Sequence, residues 1–388
     1  MTMLEIAFVV SAALIAYAFV GYPLLLWVWA RVHSRPVRRS PIRPTVAIVI
    51  VAHNEAARIA MKIESCLAQD YPAQMLRVLV ACDGSTDETA TIVESYRTRR
   101  VDLLAFPVRR GKAACLNDAI GSCTEEIVVL TDARQQLHAQ AVWRLVENLG
   151  DPQVGAVSGE LVFVTDEITS FGAGVDAYWR YEKFIRRSEA AVHSMVGATG
   201  ALYALRRELF EPIPPQTLLD DVLIPMNVVL RGRRVVFESG AIAYDRPARD
   251  AAQEQVRKVR TLAGNFQLFG MHPRLLSPLR NPIFLQTLSH KVLRLVVPLA
   301  MVVLLASNVA MAWRSSLFRP LLALQLVAYG LPTLGLLSRR LRQWRPVGLA
   351  TAFLLLNWFV VLGFIEFLTN RDAHLWRLRP TAGSAPLQ

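Results

Sequence analysis

Four stretches of the chain carry no charged residue: 6–30, 295–313, 320–338 and 346–365. Each approaches the ~20 residues that a helix needs to cross a bilayer core of ~30 Å. The pattern predicts four transmembrane helices, one near the N-terminus and three clustered toward the C-terminus. Between the first run and the second the pattern changes. Residues 45–54 form a continuous β-branched run, as in a strand buried on both faces. A helix is expected over 55–69, a strand over 76–83, a helix over 87–97 and a strand over 103–108. A helix over 112–120, strands over 126–132 and 154–164, and a helix over 139–149 complete the series. Strand–helix alternation at this spacing implies an α/β fold whose sheet is mostly parallel with helices on both faces.

Charge adds an orientation. The leading residues Met1 to Glu5 carry no positive charge and no cleavage site follows, so the first run reads as a span and not as a signal peptide. Arg31, Arg35, Arg38, Arg39 and Arg43 come directly after it, and the 338–345 loop is also basic. The positive-inside rule puts both on the cytoplasmic side, with the N-terminus outside. Four crossings then put the tail outside, against the rule, because it carries Arg371, Arg377 and Arg379. The formal charge of +12 finds its partner in anionic lipid headgroups. No basic patch interleaved with aromatics marks a nucleic-acid surface. Cys66, Cys82, Cys115 and Cys123 form no CxxC pair and read as reduced, mostly buried thiols.

Residues 253–291 interleave basic and apolar positions and are cut by Pro273, Pro278 and Pro282. They are expected to form short helices in the membrane interface. The expected organisation is a span and basic segment over 1–43, a globular domain over 44–252, interfacial helices over 253–291, and three spans with a tail over 292–388. In open α/β sheets, ligands bind beyond the carboxyl ends of the strands. Here those ends carry Asn54-Glu55, Asp83 and Asp132. Each is an ordinary turn or cap residue by itself; three on one rim point to a site.

A set of motifs then carries a resemblance. His53-Asn54-Glu55 opens a helix, and Asp83-Gly84-Ser85-Thr86-Asp87 follows. Next come Arg109-Arg110-Gly111-Lys112 with Asn117, and Thr131-Asp132-Ala133. With 197–207, 219–232 and 257–265, the chain resembles an inverting family 2 glycosyltransferase with a GT-A (Rossmann-like) fold. It is similar to the membrane-integrated branch that includes cellulose, chitin, hyaluronan and poly-N-acetylglucosamine synthases. The resemblance implies a cytosolic catalytic domain at the inner membrane and a UDP-sugar donor held by Asn54, Glu55, Asp83, Gly84, Lys112, Asp132, Arg257 and Arg260. It implies that Asp221 is the general base, with Asp220 its neighbour, and that Gly197, Thr199 and Gly200 line the acceptor side. It implies Mg²⁺ or Mn²⁺ at Asp132.

Two positions depart from the family pattern. The DxD motif reads Asp132-Ala133-Arg134, so its second carboxylate is replaced by an arginine that can face phosphate directly. The QxxRW motif reads Arg257-Lys258-Val259-Arg260-Thr261, which keeps the arginine and lacks the tryptophan; Phe266 is the nearest aromatic. The expected activity is sugar transfer to a growing polysaccharide. Transfer of a single sugar to a lipid-linked acceptor is the alternative, and a non-enzymatic nucleotide-sensing membrane subunit is the third reading.

Overall fold

The computed structural model describes residues 1–164, 170–246, 251–370 and 372–375. Arg371, Arg377 and Arg379, on which the expected position of the tail turned, lie outside the described residues. The chain opens with α1 (Met3–Ala16), a π-helical turn (Tyr17–Gly21) and α2 (Tyr22–Val32). There follow β1 (Val46–Ala52), α3 (Ala56–Leu67), β2 (Leu76–Asp83), α4 (Thr89–Glu94), β3 (Val101–Phe106), α5 (Lys112–Gly121) and β4 (Ile127–Asp132). Next come β5 (Gln136–Leu137), α6 (Ala141–Asn148), β6 (Val154–Phe163), α7 (Ser170–Val192), β7 (Tyr203–Arg206), α8 (Asp220–Leu230), β8 (Arg234–Asp245) and α9 (Ala251–Met271). The last third holds α10 (Phe284–Gln286), a second π-helical turn (Thr287–Val292), α11 (Leu293–Ala312), α12 (Phe318–Leu337), α13 (Arg339–Gln343) and α14 (Arg345–Thr369).

By contacts the described residues fall into two units. One is drawn from Val37–Val164, Gly197–Met271 and the chain from Ile365 onward. It contains a mixed eight-stranded sheet in the order β3-β2-β1-β4-β7-β6-β8-β5. The half from β3 to β4 is wholly parallel. β7 enters antiparallel to both β4 and β6, and β6 pairs parallel with β8. Every residue of β1 is buried, as its unbroken apolar run requires. α3 presents Ile59, Ile63 and Cys66 to the core, one helical stripe. All four cysteines are free and buried. The result is the mostly parallel, GT-A-like α/β sheet expected from the strand–helix alternation.

The other unit is drawn from Met1–Pro36, Thr165–Val196 and His272–Phe364. It contains nearly all of the four helices that are long and apolar enough to cross a membrane: Met3–Val32, Phe284–Ala312, Phe318–Leu337 and Arg345–Thr369. Leu24, Leu299, Val302, Leu324 and Trp358 stand outward on them as exposed apolar side chains. The second of these helices begins well before residue 295, because α10 and a π-helical turn carry it through His290, Lys291 and Arg294.

The grouping by contacts divides the chain differently from two of the expected boundaries. The 44–252 stretch is not one contiguous body: α7 leaves it and packs Ile185 and Val192 against Tyr22 and Leu26 of α2. The polar face of α7 explains why. Glu182 binds Arg294 and His290 Nε2, and Glu189 accepts from Tyr22 Oη at 2.7 Å and faces His290 Nδ1 at 2.9 Å. The buried imidazole thus has a carboxylate partner for each of its two ring nitrogens. The 253–291 stretch also divides: α9 is one uninterrupted helix grouped with the sheet, and 272–291 groups with the apolar helices.

Candidate active site

The first two strand ends are tied together. Asn54 adopts φ +54° at the end of β1, and its Oδ1 accepts from Thr86 N at 2.8 Å. Asn54 N donates to Ser85 Oγ at 3.2 Å. Asp87 accepts from Ala56 N at 3.1 Å and from Thr89 N at 3.1 Å, so one carboxylate serves two donors at helix starts. Glu55 pairs with Arg58 at 3.2 Å on the open side.

Asp83 closes β2, and its carboxylate accepts from Arg110 N at 2.6 Å and Gly111 N at 2.9 Å. Gly84 has φ +60°, and a Cβ there would stand 2.5 Å from Arg109 N. Glycine is required because the 108–111 backbone passes against it. Asp83 thereby fixes the loop that delivers Lys112, the first residue of α5.

Lys112 joins three elements. Its Nζ lies 2.9 Å from Asp132 Oδ1, at the end of β4, and 3.0 Å from Asp220 Oδ2, at the start of α8. Burial would lower the Lys112 ammonium; Asp132, Asp220 and Asp221 outweigh it and hold it above the usual lysine value. Burial likewise would raise the Asp132 carboxyl, but Lys112 and Arg134 hold it below the usual range. Arg260, on α9, lies within the field of Asp220, Asp132 and Asp221, although burial leaves its guanidinium below its usual value.

Asp221 is gripped by the 197–200 loop. Gly200 N donates to Asp221 Oδ2 at 3.0 Å, and Ala198 N donates to Asp221 O at 2.7 Å. The second bond has a specific origin. Inside a helix the Asp221 carbonyl would accept from residue 225, but that residue is Pro225 and has no N–H. The freed carbonyl takes Ala198 instead. Gly197, with φ +84°, lets the loop lie against Val222. Thr199 N donates to Ser158 Oγ at 3.1 Å.

A second network lies behind Asp132. Arg134 Nε and Gln135 Nε2 both donate to Asp245 Oδ2, at 2.9 and 2.8 Å. Arg257 is lowered by burial and then by the nearby charge of Arg134. On the opposite face of β4, the buried Lys62 donates to Thr131 Oγ1 and Gln135 O, both at 2.7 Å. Thr261 Oγ1 turns back to Arg257 O at 3.0 Å, and Phe266 stacks on Phe367.

The structure therefore brings Lys112, Asp132, Asp220, Asp221, Gly200 and Arg260 to one corner. Asn54, Asp83 and Gly84 lie in an adjoining turn, where Asn54 bonds Ser85 and Thr86 and Asp83 bonds the 110–111 backbone, while Glu55 and Arg257 face Arg134. Pro225 and Tyr203 belong to the same corner and Lys62 backs it from the opposite face of β4; none of the three was singled out from the sequence. Pro225 had a readable signal, a proline four residues after Asp221. In the sequence nothing separates Lys62 from a solvated helix lysine or Tyr203 from an apolar strand position.

Among the described residues no three His, Cys, Asp or Glu side chains gather as a metal site. A hard cation bound mainly through substrate phosphates needs only one or two protein carboxylates. Asp132 Oδ2 and Asp221 Oδ2 border one point, 3.7 and 3.2 Å from where a Gly200 Cβ would stand. The donor set fits such a cation.

Residues 47–213 match the family described as glycosyl transferase family 2. An N-acetylglucosaminyltransferase of Rhizobium meliloti (strain 1021) is 31% identical over 175 residues, 43% of this chain and 39% of that protein. An N-acetylglucosaminyltransferase of Rhizobium leguminosarum bv. trifolii is 31% identical over 124 residues, 31% of this chain and 68% of that protein. Thus the chain spans well under half of the first relative and about two thirds of the second. A mannosyltransferase from Pyrobaculum calidifontis, solved in complex with GDP-Man and Mn²⁺, superposes with a TM-score of 0.73 at 25% identity. That match covers 94% of this chain and all of the other. With its GT-A-like sheet and this corner of acids and cations, the chain belongs to glycosyl transferase family 2.

Proposed function

We propose that this enzyme transfers a sugar, with inversion, from a UDP-sugar to a growing polysaccharide at the cytoplasmic face of the inner membrane. The observation that carries the reading is the single corner where Lys112 bridges Asp132 and Asp220 while the 197–200 loop grips Asp221. Asp221 takes the proton as the acceptor oxygen attacks the anomeric carbon. The bond from that carbon to the phosphate oxygen breaks on the opposite side. Lys112 and Arg260 neutralise the departing diphosphate, which arginine engages bidentately. Asp132, with the phosphates, would hold a Mg²⁺ or Mn²⁺ ion that supplies Lewis-acid neutralisation of the leaving group. Asn54, Glu55, Asp83 and Gly84 shape the nucleotide side, Arg257 adds positive charge, and Gly197, Thr199 and Gly200 border the acceptor.

A second reading, transfer of one sugar to a lipid-linked acceptor, is supported by position 261. The family's tryptophan is there a threonine bonded to its own helix. The tail also bears on membrane topology. A Cβ at Gly111 would stand 3.3 Å from His374, so the 373–375 turn belongs beside the catalytic loop. This supports an even number of crossings between α9 and that turn.

The test is a panel of UDP-sugars and GDP-Man on the membrane-reconstituted protein, following nucleotide release with and without Mg²⁺ or Mn²⁺ and measuring product length. We expect one UDP-sugar to be consumed in a divalent-dependent reaction that yields long chains. Preferential use of GDP-Man would overturn the donor, and products extended by one sugar would select the second reading.

A further inference from the structure

Tyr203 is 1% exposed, and its hydroxyl has no hydrogen-bond partner among the described residues. A buried, unpaired hydroxyl is destabilising, and a phenylalanine of the same shape would avoid the cost. Its position explains why a tyrosine stands there. In the antiparallel register Tyr203 lies directly opposite Leu130, two residues before Asp132. Tyr203 and Asp132 therefore share a face of the sheet, the face that carries Lys112. Burial first, and then the charges of Asp220, Asp221 and Asp132, hold the phenol well above its usual range. It remains a hydrogen-bond donor.

Asp220 is 5% exposed, and its Oδ2 depends on the Lys112 ammonium, which Asp132 shares. On the reading that this pocket takes a nucleotide diphosphate, the incoming phosphates compete for that cation. Drawing Lys112 away leaves a buried carboxylate uncompensated, which is strongly unfavourable. Arg260 also faces this corner and is the other cation drawn toward the diphosphate.

We propose that Tyr203 is a positioning residue that takes over Asp220 when donor binds: as Lys112 turns to the diphosphate, the Tyr203 hydroxyl donates a hydrogen bond to the Asp220 carboxylate and holds the start of α8, with Asp221, in place. The orphaned hydroxyl of the resting protein is the donor held ready for that exchange.

Full-length Tyr203→Phe in lipid nanodiscs tests this, with UDP as the binding probe. Without UDP its Tm is expected to equal or exceed wild type, by up to about 4 °C. The rise in Tm on saturating with UDP shrinks. The KM for the UDP-sugar rises about tenfold while kcat stays within about twofold, the signature of a contact present in ground and transition states alike. A UDP-induced rise equal to wild type, an unchanged KM, or a lower Tm without UDP would each overturn the proposal. A wild-type protein whose Tm moves with neither UDP nor GDP would instead sink the donor reading, and the proposal with it.

Discussion

The turn at residues 83–87 and the corner around Lys112 are both rich in aspartate, yet their acids have different work. In the turn, Asp83 and Asp87 accept from backbone N–H groups of neighbouring loops and helix starts. Those bonds are internal to the fold. In the corner, Asp132 and Asp220 share one ammonium, and Tyr203 has no hydrogen-bond partner among the described residues. A fold seldom gathers buried acids on a shared cation beside an unpaired hydroxyl unless something else binds there. The comparison teaches that acidic residues on one sheet rim divide into those that build the loops and those held ready for substrate.

Substitutions sharpen that division. Lys112→Met removes the cation shared by two carboxylates, and we expect the larger effect there. kcat/KM should fall about 100-fold, close to 2.7 kcal/mol of transition-state stabilisation, with a lower Tm. Steady-state nucleotide release and a thermal melt check both. Asp83→Asn comes next. It keeps one acceptor oxygen but loses the charge that orders the 109–111 backbone, so Tm should drop by several degrees and the donor KM rise about tenfold, with kcat within about threefold. A fall in kcat with unchanged stability would move Asp83 out of the loop-building class.

Much of this fold was legible in the sequence. The unbroken apolar run at the start of the sheet and the strand–helix alternation up to β6 give the parallel half directly. The second half was harder to read for physical reasons. β7 is only Tyr203–Arg206, too short to show a period, and the apolar pattern of β8, though not the strand itself, is broken by Glu238-Ser239-Gly240. α7 was missed because its polar face, with Glu182 and Glu189, looks solvated, whereas His290 and Arg294 come from distant sequence to bury it. In the site, the acids were legible through their motifs. Their support was not: Lys62 reads as an exposed helix charge until Thr131 and Gln135 enclose it. Pro225 matters only once Ala198 is seen bonded to the carbonyl it frees.

The account depends on Asp221 acting in the chemistry and not in holding the nucleotide. UDP affinity and donor turnover measured on one preparation of Asp221→Asn test this most directly. The amide keeps an oxygen for Gly200 N, and the Asp221 carbonyl keeps Ala198 N, so the loop should stay in place. We predict UDP affinity within about threefold of wild type and turnover reduced at least about 1000-fold, the scale of losing a positioned base. Turnover near wild type, or a loss of UDP binding that accounts for the whole defect, would contradict the account.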